Sequence, residues 1–322
     1  MDIAQLRTLI HVAELGSLSK AADRLHIAQP ALSRQIRLLE AELGARLFDR
    51  HGRGMTVTEQ GRDVLRHALR VMAELEDIRA AVADEDAPLR GHVSIGMPPT
   101  ASDILSEPLV SAFRDAHPEA TLRIVSAYTG HLLDWMHRGE IDAAILYDPR
   151  SARTLRIEPL LEETLFLIGP PGHGLSLDRA VAFASLENQR LLLPSVGHGL
   201  RMLVDRYAQE CGISLDIKVE ADSYSALKSL VHHGHGVTVL PLAPIHEELK
   251  AGGLGAAPLV DPTPLRRLVM SYPTDRPASR LARFAGQAIA ATIASLVERG
   301  IWSGRILEAG PERLHGGQPP IA

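Results

Sequence analysis

The chain has 322 residues, enough for two or three compact units with buried cores, and 45% of them are hydrophobic. Its formal net charge of −5 argues against a protein that coats nucleic acid through bulk positive charge. A single cysteine, Cys211, excludes a disulfide framework, and neither a membrane-length apolar run nor an export pattern is present, so we expect a cytoplasmic protein.

The first 43 residues contain three segments with helical apolar spacing. Residues 2–15 predict an opening helix that ends at Gly16. A shorter helix follows, with Ser17 as its expected N-cap. Residues 26–29 interrupt the apolar spacing and separate it from the next helix, whose first turn tolerates Pro30. Two short helices joined by a tight turn predict a helix-turn-helix, which binds DNA through its second helix.

This second helix buries its aliphatic side chains and carries polar groups at its leading end. Arginine and glutamine suit base edges in a major groove about 12 Å wide. After Gly44, two glycines and the alternating residues 55–58 predict a small hairpin, or wing, for phosphates or a narrow minor groove. An ordinary helical hairpin with a solvated face is the alternative. The predicted DNA-binding residues are Ser17, Gln29, Pro30, Ser33, Arg34, Arg37, Arg50 and Arg53.

A long proline-free helix is predicted from residue 59 to residue 84, with Thr58 as its cap. Apolar residues recur along it at alternating intervals of four and three, the spacing of a coiled-coil seam. Packing of this face on its own domain is the alternative. Because paired recognition helices read two DNA half-sites, we expect a homodimer through this helix. The predicted dimerisation residues are Val64, Ala68, Val71, Leu75, Ile78 and Val82.

The remainder of the chain predicts a two-lobed α/β domain. Charge, Pro88 and Gly91 end the long helix, so residues 59–90 are interpreted as a linker helix and hinge. Strands and helices then alternate twice, and the chain returns through LRRLVMSYP to a long final helix. Two lobes connected in this way predict a cleft between them. The Gly- and Pro-rich residues 301–322 are predicted to be a disordered tail.

The predicted cleft carries candidate ligand-binding residues. Ligands of open α/β sheets bind beyond the carboxyl ends of strands, where helix N-termini present unpaired N–H groups. Hydroxyls at helix starts most often only cap the helix, but several from both lobes favour an anion site. With a histidine and an arginine beside them, a small carboxylate is the preferred effector. The candidate effector-binding residues are Pro99, Thr100, Ser102, Thr129, Tyr147, Ser195, His198, Arg201 and Ser223.

The sequence contains none of the common catalytic or metal-binding motifs. His232, His233 and His235 do not have the spacing of a standard zinc site, and Cys211 lacks a nucleophile motif. No GxSxG, HExxH or phosphate-loop pattern occurs. We therefore expect no metal, no cofactor and no enzymatic activity. The rival interpretations are an enzyme fused to a DNA-binding module and a small-molecule binding protein with a vestigial N-terminal domain.

A family pattern covers about the first sixty residues. The run QPALSRQI at residues 29–36, Ala21 and Ala22 before it, and LGARLFDR at residues 43–50 carry the match. On these residues the chain resembles LysR-type transcriptional regulators, although Ile10 stands where an aromatic residue is common.

The resemblance implies an α+β multi-domain fold with a periplasmic-binding-protein-like effector domain. The implied segments are a winged helix-turn-helix at 1–58, lobe I at 91–163 and 267–300, and lobe II at 164–266. Thr100, Thr129 and Tyr147 match ligand-contact positions of related regulators. The implied function is regulation of transcription by an oligomer, a homodimer or homotetramer. The implied partners are double-stranded promoter DNA, a small-molecule effector and RNA polymerase.

Overall fold

The computed structural model describes residues 1–51, 54–80, 88–149 and 154–307. Its N-terminal part, called the head below, contains three short helices, a hairpin and the start of a long helix. The helices are α1 (Ile3–Leu15), α2 (Leu18–Leu25), α3 (Gln29–Leu43) and α4 (Glu59–Ala80), and the antiparallel hairpin consists of β1 (Phe48–His51) and β2 (Gly54–Val57).

Local sequence signals determine where the head helices begin and end. Asp2 caps α1 through a capping box, and Gly16 ends it in the left-handed conformation with φ 60°. Thr58 caps α4, since its hydroxyl accepts a hydrogen bond of 2.9 Å from the N–H of Gly61. A Cβ at Gly61 would lie 2.1 Å from the carbonyl oxygen of Leu47, so only glycine allows this close approach of α4 to the segment before β1.

The predicted seam along α4 divides into two parts. Ala68 is 2% exposed and belongs to the head core, and Val64 packs against the same core. The prediction of an intermolecular role is therefore wrong for Ala68, because α1 of the same chain packs against this part of α4. Val71 and Ile78 lie further along and are 43% and 60% exposed. Leu75 is half-buried. Val82 and the predicted end of the helix lie outside the described residues.

The remainder of the described chain forms two α/β lobes. The strands are β3 (Gly91–Met97), β4 (Ala120–Ser126), β5 (Ala143–Tyr147), β6 (Leu155–Thr164), β7 (Phe166–Gly169), β8 (Val181–Ala182), β9 (Arg190–Leu193), β10 (Asp216–Glu220), β11 (Thr238–Leu240), β12 (Gly255–Val260), β13 (Leu265–Pro273) and β14 (Gly304–Ile306). The helices are α5 (Pro99–Ala116), α6 (Thr129–Arg138), α7 (Gly199–Cys211), α8 (Tyr224–His232), α9 (His246–Lys250) and α10 (Arg280–Glu298).

Lobe I is built on a sheet in the order β14-β6-β13-β5-β3-β4. Strands β4, β3 and β5 run parallel, whereas β13 pairs antiparallel with both β5 and β6. Apolar residues of α5 and α10 form one core with this sheet, and Leu132 and Met136 of α6 belong to a separate core. The sheet is therefore covered by helices on both faces.

Lobe II contains a sheet in the order β11-β7-β12-β8 and a parallel pair, β9 and β10. Its core includes Phe183, Leu192 and Val204, which are fully buried. The chain enters lobe II where β6 ends and β7 begins, and it returns where β12 ends and β13 begins. Because β6 and β13 pair with each other, the two crossings lie side by side and form the hinge between the lobes.

The segment after α10 differs from its prediction. Residues 301–307 belong to lobe I, whereas the disordered tail was predicted to begin at Ile301. Trp302 is 1% exposed, and β14 pairs antiparallel with β6. The prediction is wrong here because a buried indole and backbone pairing outweigh the effect of local Gly and Pro content. Residues 308–322 lie outside the described part. Within the described ranges, no helix has both the length and the apolar character needed to cross a membrane.

Candidate functional site

The N-terminal half of α3 presents an exposed polar face. Gln29, Pro30, Arg34 and Arg37 are exposed on this face, and Ser33 is half-buried. Arg34 makes no hydrogen bond or ion pair with the described part of the chain. Position 28, the N-cap residue, provides no side-chain cap, and the N–H groups of Ala31 and Leu32 donate to its carbonyl oxygen, so the N–H of Gln29 remains available to a phosphate. The helix can therefore place one uncommitted guanidinium and several donors in a groove.

The other predicted DNA-binding residues within the described ranges lie at the start of α2 and on the wing. Ser17 caps α2, since its hydroxyl accepts a hydrogen bond of 3.4 Å from the N–H of Lys20. Arg50 is exposed on β1, opposite Met55 in the hairpin. Arg53, predicted for the tip of the wing, lies outside the described residues. Ser17 and Arg50 therefore flank α3 in the chain, on the turn before α2 and on the wing.

A cleft of about 1280 Å³ lies between the lobes. Its walls come from the starts of α5, α6 and α7, the end of β5 and the start of β13. The structure brings six of the nine predicted effector-binding residues into its lining: Pro99, Thr100, Thr129, Tyr147, Ser195 and His198.

Three predicted residues of lobe I form a connected wall. The hydroxyls of Thr100 and Tyr147 lie 2.9 Å apart, and the N–H of Tyr147 donates to the hydroxyl of Thr129 at 3.4 Å. Burial raises the pKa of Tyr147 well above its ordinary value, so this phenol remains protonated. The N-cap residues of α5 and α6 are Pro98 and Tyr128, neither of which caps through its side chain. Both helix N-termini consequently offer donors to a ligand.

The lobe II wall is already hydrogen bonded internally. Ser195 donates from its N–H and from its hydroxyl to Asp222, at 2.9 and 2.8 Å, and these bonds lower the pKa of that carboxyl. The Nδ1 atom of His198 accepts a hydrogen bond of 3.1 Å from the N–H of Leu200 and so caps α7. Burial, followed by the positive charge of Arg266, lowers the pKa of His198. The imidazole is therefore neutral near pH 7, with its proton on Nε2.

Tyr128 of lobe I contacts His198 of lobe II across the cleft. Their ring centroids are 4.4 Å apart, and the ring planes meet at 82°. Such edge-to-face pairs stabilise a contact by about 1 kcal/mol beyond their buried area. The contact therefore depends on the distance between the two lobes.

Three predicted effector-binding residues lie outside the cleft lining. Arg201 donates from Nε to Asp205 at 3.0 Å and from Nη1 to Glu220 at 2.9 Å, so its charge is neutralised within lobe II. Ser223 caps α8, with its hydroxyl accepting from the N–H of Ala226. Ser102 and Ser223 line a separate, smaller pocket of about 590 Å³. The structure does not bring these three residues into the cleft, because local partners and helix geometry determine where their polar groups lie, and their role in effector binding stays a prediction.

The structure adds a charged cluster that was missed in the sequence. Arg266, at the start of β13, lines the cleft and forms an ion pair with Glu163 of β6. Its guanidinium lies 3.6 Å from the ring centroid of Tyr147. The indole N–H of Trp302 donates to the other oxygen of Glu163 at 2.8 Å. The signal available in the sequence was a pair of arginines in an otherwise apolar strand, LRRLVMSYP, because arginine is rarely buried without a partner.

The three clustered histidines have structural surroundings. The Nδ1 atoms of His232 and His233 lie 2.7 and 2.8 Å from the carbonyl oxygens of Gly253 and Ser229. Among the described residues, no group of three His, Cys, Asp or Glu side chains is placed to hold a metal ion.

A winged helix-turn-helix joined through a linker helix to a two-lobed α/β domain defines a class of protein, the ligand-responsive regulators of transcription. The family model for the LysR substrate binding domain matches residues 86–294, and the model for the bacterial regulatory helix-turn-helix protein of the lysR family matches residues 3–62. The chain belongs to the LysR family of transcriptional regulators.

Its relatives are regulators of transcription. The chain is 33% identical to the probable hydrogen peroxide-inducible genes activator of Mycobacterium leprae, over 84% of this chain and 87% of that protein. It is also 33% identical to the nitrogen assimilation regulatory protein nac of Klebsiella aerogenes, over 75% of this chain and 78% of that protein. The solved structure of a C206 mutant of OxyR from Corynebacterium glutamicum is 27% identical, covers 93% of this chain and 96% of its own, and has a TM-score of 0.68.

These comparisons confirm the predicted fold class and the broad function. The chain is a DNA-binding transcriptional regulator with an effector-binding domain. Its families and relatives are regulators rather than enzymes, which agrees with the prediction of no enzymatic activity.

Proposed function

We propose that this regulator binds promoter DNA as a homo-oligomer and changes its grip on DNA when a small carboxylate enters the cleft between the lobes. The main supporting observation is that the cleft is walled by both lobes, because a ligand held by both changes the distance between them. In this proposal the rearranged oligomer alters DNA bending or its contact with RNA polymerase.

The DNA-binding part of the proposal rests on α3. Gln29, Ser33, Arg34 and Arg37 enter the major groove, whereas Ser17, Pro30, Arg50 and Arg53 lie along the sugar-phosphate backbone or minor groove. The exposure of Arg34 and its lack of a hydrogen-bond or ion-pair partner among the described residues support this assignment. A guanidinium of this kind suits the two acceptors of guanine.

The oligomer is proposed to form first through α4. Val71 and Ile78, one heptad apart, expose apolar side chains on a helix between two domains. Pairing of two α4 helices would bury them and bring two recognition helices to one DNA site. Further pairing through the effector domain would give a tetramer.

The effector is proposed to bind among Pro99, Thr100, Thr129, Tyr147, Ser195 and His198. Two helix N-termini without side-chain caps and the hydroxyls of Thr100 and Thr129 favour an anionic ligand. The apolar part of the lining, including Leu203 and Leu240, suits a hydrocarbon body attached to the acid.

Peroxide chemistry, suggested by the names of several relatives, is not part of this proposal. Cys211 is the single cysteine of the chain, so an intramolecular disulfide cannot form. Cys211 ends α7 and packs against the core of lobe II. It therefore serves as a small apolar side chain in this structure.

The DNA part is tested by sequencing genomic fragments captured by the full-length protein and by its Arg34→Ala variant. We expect the wild type to enrich one family of promoter sites and the variant to lose that enrichment. Identical enrichment, or none for the wild type, would remove the support for sequence-specific binding through α3.

The effector part is tested by measuring how carboxylates change the affinity for the captured promoter fragment. We expect Thr100→Val to lose the response, because the hydroxyl shared with Tyr147 is removed. Ser102→Ala is the matched control, since this hydroxyl lies on the same helix but outside the cleft lining. If Thr100→Val kept the full change in promoter affinity on adding carboxylate, the cleft would be excluded as the effector site.

A further inference from the structure

The hinge between the lobes contains a buried ion pair. Glu163 and Arg266 lie directly opposite each other where β6 leaves lobe I and β13 returns to it. Their side chains are 0% and 7% exposed. Charges so deeply buried require hydrogen bonds on all their polar atoms, because unpaired buried groups are strongly unfavourable.

Glu163 meets this requirement, but Arg266 does not. One carboxylate oxygen of Glu163 accepts from Nε of Arg266, and the other accepts from the indole of Trp302. The Nη2 atom of Arg266 is buried and has no hydrogen-bond partner among the described residues. The guanidinium thus has a buried donor that the surrounding described protein does not satisfy.

The guanidinium that carries this donor is held in place beside the cleft. The ring of Tyr147 lies against the guanidinium, and the Tyr147 hydroxyl is in turn hydrogen bonded to Thr100. Arg266 itself lines the cleft, as do Thr100 and Tyr147. With Nε engaged by Glu163, the terminal nitrogens form the edge through which an arginine binds a carboxylate.

We propose that Arg266 binds the carboxylate of the effector and thereby connects ligand binding to the hinge. This inference rests on the proposed effector cleft and names the side chain and the ligand group that decide its specificity. The Glu163 carboxylate limits the positive charge available, so the ligand gains affinity from the unsatisfied donor and the helix N-termini rather than from a free cation. An uncharged ligand of the same shape lacks the charge-assisted hydrogen bonds and binds more weakly.

The probes are acetate, benzoate and succinate, each paired with its neutral amide: acetamide, benzamide and succinamide. Binding to the full-length protein is measured by calorimetry and by the shift in Tm at pH 7. We expect at least one acid to bind the wild type at millimolar concentration or below, and its amide to bind at least about tenfold more weakly.

Two variants separate recognition from folding. The double variant Glu163→Gln with Arg266→Gln removes both buried charges, so neither is left unpaired, and should weaken acid binding by about tenfold or more. The single variant Glu163→Gln retains Arg266 and its excess positive charge, and should bind the acid more tightly than the wild type. A purely structural role of the pair predicts weaker binding in both.

The inference is overturned if the double variant keeps wild-type affinity, if the amide binds as well as its acid, if Glu163→Gln weakens binding, or if none of the three acids binds. Two further measurements keep its failure distinct from failure of the proposed function. Capture of promoter fragments by the double variant tests DNA binding separately. If Thr100→Val loses acid binding while the double variant keeps it in full, the cleft remains the effector site and Arg266 is excluded as the group that binds the carboxylate.

Discussion

Arg66 of α4 donates a hydrogen bond of 2.8 Å from Nη1 to the carbonyl oxygen of Arg138, the last residue of α6. Thr129, the first residue of the same helix, lines the cleft. A helix of ten residues, about 15 Å long, therefore contacts the linker helix at one end and the proposed ligand at the other. Next to it, Gly139 packs against Arg70, with only 3.3 Å between an added Cβ and the Arg70 side chain.

This contact predicts that Arg66→Ala uncouples the two functions. Effector binding and promoter binding should each remain within about twofold of wild type, because Arg66 is outside the cleft and outside α3. The effect of effector on promoter affinity should fall, since the bond between α6 and α4 is lost. Affinity for the captured promoter fragment with and without effector measures this. Glu74→Ala, an exposed site on α4, is the control. An undiminished response would show that coupling takes another route.

The recognition helix leads to a prediction about base specificity. Arg34→Ala should cost about 1 to 3 kcal/mol at the contacted base and relax the preference there. Arg24, which pairs with Glu14 at 2.9 Å, is the control, and its removal should leave the preference unchanged. Binding of a library of promoter variants measures both. Arg53→Ala should weaken binding uniformly, as expected for a phosphate contact. Equal loss on every sequence for Arg34→Ala would contradict direct base readout.

The exposed part of the seam predicts the oligomeric state. Replacing Val71 and Ile78 with glutamate in the full-length protein should shift a dimer toward monomer, because paired helices would then bury like charges. Sedimentation velocity at micromolar concentration measures the change. Glu74→Gln, on the same part of α4, should leave the state unchanged. Should the double variant sediment as the wild type does, α4 is not the principal contact.

His198 predicts how stability depends on pH. Its pKa in the folded protein is lowered by burial and by the positive charge of Arg266, so the unfolded chain binds the proton more readily. Stability must then rise with pH through the window just below 6.5 and decrease as the pH falls through it. His198→Asn retains an acceptor that can cap α7 and removes the titrating group, so its stability should depend less on pH. Urea unfolding at pH 7.5 and 5.5 measures the difference. An unchanged pH dependence would exclude this contribution.

Trp302 predicts a stabilising role for the segment after α10. Trp302→Ala should destabilise the protein by about 3 to 5 kcal/mol, because it removes a buried indole and the donor to Glu163. Arg305→Ala is the control: its exposed ion pair with Glu162, at 3.0 Å, should contribute less than about 1 kcal/mol. Denaturant unfolding measures both. Similar losses for the two variants would indicate that Trp302 is not part of the lobe I core.

The cleft was predictable in part. Hydroxyls after the strands indicated Thr100 and Thr129 correctly as lining residues, because the carboxyl ends of parallel strands meet at one edge. The same rule did not place Ser223 in the lining, because its hydroxyl caps α8. Arg201, expected there as a positive charge, is engaged by nearby carboxylates instead. Nothing in the local pattern distinguishes these outcomes.

The sequence by itself determined the head, the long linker helix and the alternation of strands and helices. These features follow from apolar spacing, caps and turn residues, which act over a few neighbouring positions. Only the tertiary structure decided which charges are neutralised and which face the cleft. Glu163 and Arg266 are 103 residues apart, and their meeting depends on the pairing of β6 with β13. The burial of Ala68 against α1 and of Trp302 against lobe I likewise depends on long-range packing, which local spacing does not specify.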